Sequence, residues 1–133
     1  TLIYLAYNGL LLGAVAVHLI KLGYFVTFVP FVIGHGAFEL TAIVVAGAGG
    51  LMMGHALLDP GARPRAAALQ QAGRVAVRLL FGAVAMLFAA AFIEAFWSSM
   101  HAPSSVKLIV GVALWLGVFG YFVTAGRYGS RAD

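Results

Sequence analysis

The sequence predicts an all-α membrane protein, a polytopic bundle of about four transmembrane helices forming one domain over residues 1–133. Three observations carry that prediction. The chain is 63% hydrophobic and only 9% charged, against about 25% charged in an ordinary soluble domain. Its mean hydropathy is +1.03. Its apolar runs are continuous and long enough to cross a bilayer, which takes roughly 20 residues of helix. A transmembrane β-barrel would instead alternate apolar and polar residues in segments of roughly 10, and no such segment occurs.

The first span reads from Leu2 to Ile20 and stops at Lys21. It opens inside an apolar run, with neither a charged leader nor a small-residue cleavage site ahead of it, and so does not read as a signal peptide. The expectation is a chain truncated at its N-terminus. Leu22 to Gly34 is apolar and aromatic and contains Pro30; too short to span alone, it reads as an interfacial or re-entrant segment. The second span reads from His35 to Leu57 and is stopped by Asp59-Pro60-Gly61. Ala62 to Arg74 is basic and reads as a short surface helix. The third span covers Val75 to Trp97, a turn with Pro103 follows, and the fourth covers Val106 to Ala125 ahead of a polar tail, Arg127 to Asp133.

Basic residues orient these spans. Arg63, Arg65, Arg74 and Arg78 flank the second connection, and Arg127 and Arg131 follow the last span. With four spans both groups share one side, which the positive-inside rule makes cytoplasmic. Lys21 and Lys107 fall on the other side, with Tyr24, Phe25, Phe28 and Trp97 as its aromatic belt. The pI near 9.9 is thus accounted for by topology. No basic patch is interleaved with exposed aromatics, so nucleic acid is not an expected partner. The absence of cysteine excludes disulfides, thiolate metal sites and a Cys nucleophile.

Packing is also legible. Ala42, Ala46, Gly50 and Gly54 recur every four residues on the second span, as do Gly9 and Gly13 on the first. Small residues let helix backbones approach in lipid, where no hydrophobic drive joins helices. The second span is therefore expected at the centre of the bundle. The same stripe suits a homo-oligomer equally well.

Two of the four acidic residues, Glu39 and Glu94, lie inside spans. A carboxylate in lipid is costly and by default marks a functional position. The topology puts His18, His35, Glu39, Glu94 and His101 all in the outer third of the membrane. His35 and Glu39 are spaced i, i+4 and share a helix face. With Glu94 they make a candidate site for a divalent transition metal, Zn or Mn, and His18 or His101 are the candidates to complete the shell. Glu39 and Glu94 are then the candidate catalytic residues. Alternatively the two carboxylates share a proton, or each is protonated and simply hydrogen-bonded. Asn8 is placed to hydrogen-bond between helices. His55 lies near the cytoplasmic end, away from this cluster. Ser98, Ser99, Ser104 and Ser105 cluster on the outer turn with no base fixed beside any of them.

Three ordered motifs resemble the stage II sporulation protein M family of prokaryotic membrane proteins. They are Asn8-Gly9 ahead of Leu11-Leu12-Gly13; Gly34-His35-Gly36-Ala37-Phe38-Glu39-Leu40-Thr41-Ala42-Ile43 with Ala46-Gly47-Ala48-Gly49-Gly50-Leu51; and Ala90-Ala91-Phe92-Ile93-Glu94-Ala95-Phe96. The matched motif positions are Asn8, His35, Glu39 and Glu94. The resemblance implies residence in the plasma membrane and a scaffold that recruits peptidoglycan-remodelling partners of the cell envelope. It supplies no catalytic mechanism. The residues themselves keep a second class open, a metal-dependent intramembrane hydrolase in which His35, Glu39 and Glu94 hold the cation and a carboxylate activates water. Transport ranks third, since only Asn8 and His55 offer a polar path toward the cytoplasmic side.

Overall fold

The computed structural model describes residues 1–129, and side chains through residue 125. It is all-helical over that range: α1 (Leu2–Lys21), α2 (Phe25–Leu58), α3 (Arg65–Phe92), a π-helical turn (Ile93–Ser98) and α4 (Ser104–Gly129). By length and composition, Leu2–Lys21, Phe25–Leu58, Arg65–Ser98 and Ser104–Ala125 can each cross a membrane. Arg131 and the end of the expected polar tail lie outside the described residues. Arg127 belongs to the last turn of α4.

α1 ends in a Schellman motif. Gly23 takes φ +85°, the N–H of Gly23 donates to the Ile20 carbonyl, and that of Tyr24 donates to the Leu19 carbonyl. The left-handed backbone there suits glycine. α2 begins almost at once, with Tyr24 as its N-cap.

The expected re-entrant segment is absent: residues 25–34 are the first turns of α2. Pro30 sits inside the helix and is buried. Proline removes one backbone donor, yet an apolar chain in lipid has no water to satisfy an open loop, so a helix missing one bond is the cheaper solution. α2 is consequently 34 residues long, about 51 Å at 1.5 Å per residue, well beyond a hydrocarbon core of about 30 Å. The expected surface helix is corrected in the same way. Arg65–Arg74 continues directly into the third span as α3, and no breaker separates Arg74 from Val75. The turn between α2 and α3 is placed as expected, with Gly61 at φ +63° and Arg63 hydrogen-bonded to Gln71.

α2 is the common partner of α1, α3, the π turn and α4. Among the described residues, and apart from Pro30, the buried hydrophobic side chains are alanines: Ala37, Ala42, Ala76, Ala83 and Ala90. Glycine completes the seams. A Cβ on Gly49 would lie 3.6 Å from the Ala76 Cα, and one on Gly34 would lie 3.4 Å from Ile93 Cγ2. Close backbone approach therefore does what a hydrophobic core does in water. The stripe that makes these contacts differs in part from the expected one. Ala42 is buried and Gly50 abuts Thr1, but Gly9, Gly13 and Gly54 have nothing within 4 Å of a built Cβ. Large apolar side chains such as Phe81, Phe88, Ile109 and Leu116 point outward, the inverse of a soluble protein.

α1 packs on α2 and buries no residue. Leu5 meets Gly47 at its start. Between α1 and α2 the surface stays open as a crevice.

Candidate functional site

The site is built around His35, on the buried face of α2, more than three turns before the glycines Gly47 and Gly50 that meet α1. The side chain is 7% exposed. Three neighbours fix it. The Phe31 ring, one turn earlier, meets the imidazole edge-on at 5.4 Å. Its Nδ1 lies 3.2 Å from Ser98 Oγ on the π turn. Its Nε2 lies 4.0 Å from a Glu39 carboxylate oxygen, one turn later, as the i, i+4 spacing requires. Glu39 is 48% exposed.

An ionised carboxylate only accepts hydrogen bonds, whereas a hydroxyl does both. The neutral tautomer consistent with both neighbours carries its proton on Nε2, toward Glu39, and accepts the Ser98 hydroxyl at Nδ1. Ser98 itself is 2% exposed, so it orients His35 rather than meeting a ligand. The expectation that no base is fixed beside the outer-turn serines is overturned for Ser98.

The π turn makes this possible. It adds a residue to the helical turn, so that Ile93 and Trp97 face Gly34 while Ser98 also reaches α2. Such single-turn insertions are frequent at functional sites. Ser99 donates its hydroxyl to the Glu94 carbonyl at 2.9 Å. Lys107, from the first turn of α4, donates to the Ser98 carbonyl at 2.7 Å. The buried Trp97 Nε1 has no hydrogen-bond partner among the described residues. Ser98, Trp97 and Lys107 escape sequence reasoning because the π turn leaves no periodicity signal; only the shared depth of Ser98 and His35 pointed there.

His35 and Glu39 open onto the crevice between α1 and α2, a cavity of 530 Å³ whose other polar wall is Asn8. Asn8 donates to the Tyr4 carbonyl at 2.9 Å, which leaves its amide oxygen available. Three of the four motif positions, from two helices, thus line one crevice. Its remaining lining is apolar, including Leu12, Val15 and Val32.

The other sequence candidates are placed elsewhere. Glu94 is exposed on the π turn and does not line the crevice. His18 and His101 are exposed and lie outside it as well. Among the described residues no three His, Asp or Glu side chains come together as a metal site. His35 and Glu39 are therefore a pair of potential ligands without the third that a Zn or Mn centre needs. His55 lines a separate crevice near the α2–α3 turn, with Asp59, Arg63 and Gln71.

The family model of stage II sporulation protein M matches residues 1–99. The match runs through the π turn and ends before α4. No curated protein and no solved structure matches the chain.

Proposed function

The chain belongs to the stage II sporulation protein M family, and from that premise we propose that it is a non-enzymatic scaffold of the prokaryotic plasma membrane that recruits or organises peptidoglycan-remodelling partners of the envelope. The basic segment 59–78, which comprises the α2–α3 turn and the start of α3, and the C-terminus face the cytoplasm in this reading, and the His35–Ser98 end faces the envelope.

The observation that carries the proposal is the open crevice. α1 buries nothing, yet the cleft between it and α2 presents Asn8, His35 and Glu39 on otherwise apolar walls. In lipid, a few hydrogen-bonding groups on an apolar helical face join one transmembrane helix to another. A partner helix carrying a polar side chain is the occupant this surface favours. The metal-dependent hydrolase has weaker support, because Glu94 does not join His35 and Glu39 in one group.

Photo-crosslinking tests the reading. The protein is expressed in its own membrane with a crosslinking residue at Val15, in the crevice, or at Phe81, on the exposed face of α3. A defined membrane-protein adduct from Val15 and not Phe81, retained in Glu39→Gln but lost in Glu39→Leu, is the expected result. Gln keeps the hydrogen-bonding capacity and Leu removes it. No adduct at Val15, or a hydrolytic activity of the purified protein abolished by Glu39→Gln with the fold intact, would sink the scaffold.

A further inference from the structure

A second feature of the bundle lies away from the crevice. α3 and α4 both pack on α2 and leave a groove of 620 Å³ between them. Its floor is Phe38 and Val45 of α2, and its walls are apolar, with two glycines, Gly82 and Gly117, facing in. One charged residue lines it, Arg78, which sits with Tyr121 toward the end of the bundle that also carries Arg63, Arg65 and Arg74. Among the described residues Arg78 has no carboxylate within ion-pair distance.

Dimensions and charge select the occupant. On each wall the lining residues lie seven to nine residue steps apart end to end, from Phe38 to Val45, Arg78 to Met86 and Ala113 to Phe122. At 1.5 Å per residue that is about 10–14 Å, close to the hydrocarbon of one leaflet, about 15 Å. A partner transmembrane helix needs a face about twice that long. An acyl chain entering from one leaflet fits the length, and its phosphate would then lie at the level where Arg78 snorkels. Arginine is suited to phosphate through its planar fork of donors, and Tyr121 offers a hydroxyl nearby. A neighbouring groove of 450 Å³ on α4, lined by Leu40, Trp115, Phe119 and others, has no charged residue and serves as an internal contrast.

We propose that the groove between α3 and α4 is a binding site for an anionic phospholipid of the leaflet at the arginine-rich end, its acyl chain lying over Gly82 and Gly117 and its phosphate held by Arg78. The site is independent of the crevice and of the scaffold reading.

The test is native mass spectrometry of the detergent-purified protein supplied with equal dioleoyl-phosphatidylglycerol and dioleoyl-phosphatidylcholine. The expected result is preferential retention of phosphatidylglycerol by about fivefold, the effect of one basic residue at a membrane surface. Arg78→Gln should bring the ratio close to 1. Gly117→Leu and, separately, Gly82→Leu should remove the selectively retained lipid; neither position has anything within 4 Å of a built Cβ, so the new side chain occupies the groove rather than a packed seam. Circular dichroism checks that each variant is folded. Equal retention of both lipids by the unaltered protein, unchanged selectivity in Arg78→Gln, or full selective retention in both folded leucine variants would overturn the proposal. So would release of a stoichiometric polypeptide, instead of lipid, by Gly117→Leu.

Discussion

His35 Nδ1 and Ser98 Oγ lie 3.2 Å apart, although 63 residues separate them in the chain. The contact is buried, and it joins the third turn of α2 to the π turn that closes α3. Because Lys107 donates to the Ser98 carbonyl, the same serine also holds the start of α4. One residue thus ties three elements at one end of the bundle.

Removal of that hydroxyl should be costly. Ser98→Ala leaves a buried imidazole nitrogen without its partner, for which about 1–3 kcal/mol is typical. Glu39→Ala removes a contact at 4.0 Å from a half-exposed carboxylate, and contacts of that kind contribute about 0–1 kcal/mol. Thermal unfolding in a single detergent should therefore show a clear drop for Ser98→Ala and almost none for Glu39→Ala. The reverse order would mean that Glu39, not Ser98, positions His35.

Glycine substitutions should separate the seam that packs from the stripe that only looks as if it does. Gly49 faces the Ala76 backbone at 3.6 Å, whereas Gly54 has open space. Gly49→Leu forces α2 from α3, an overpacking cost of about 1–3 kcal/mol. Gly54→Leu should be neutral or mildly stabilising, since leucine is the better helix former. Equal losses of folded yield at the two positions would show that Gly54 is covered by a partner in the membrane.

Much of this architecture is readable from residues. Hydropathy alone places the four helices, and the i, i+4 rule alone brings His35 to Glu39. The errors have specific physical causes. Pro30 and the polar run Arg65–Arg74 look like boundaries because in water proline and charge end apolar helices. In lipid an unsatisfied backbone is the greater cost, so α2 runs on through Pro30, while Arg65–Arg74 is rich in the good helix formers Ala, Leu, Gln and Arg and so begins α3. The distribution of Gly and Ala predicts which helix is central but not which face each residue takes, so Gly47 and Gly49 carry contacts expected of Gly54. The π turn is invisible to any periodicity. It governs what surrounds His35, which is why the role of Ser98 emerges only from the fold and why Glu94, close in depth, still lies outside the crevice.

Orientation can be read directly, because the chain has no native cysteine to interfere. Ala62→Cys lies in the basic turn between α2 and α3, and Ala102→Cys lies in the turn before α4. A membrane-impermeant maleimide applied to intact spheroplasts should label Ala102→Cys and leave Ala62→Cys unmodified until the membrane is opened. The opposite pattern would put the His35–Ser98 end in the cytoplasm and remove the envelope-facing basis of the scaffold.

Metal content decides between the scaffold and the hydrolase more sharply than any stability measurement. A Zn or Mn centre needs at least three protein ligands, and the described residues group only His35 and Glu39. Protein purified without chelators and then given Zn or Mn should therefore hold well under one ion per chain by elemental mass spectrometry. His35→Ala and Glu39→Gln should not change that amount. One ion per chain, lost in both variants but retained in Glu94→Gln, would mean that the third ligand comes from another chain or from residues beyond those described. Loss in Glu94→Gln as well would require the π turn to move Glu94 to the crevice. Either result would return the hydrolase to first place, with His35 and Glu39 as its centre.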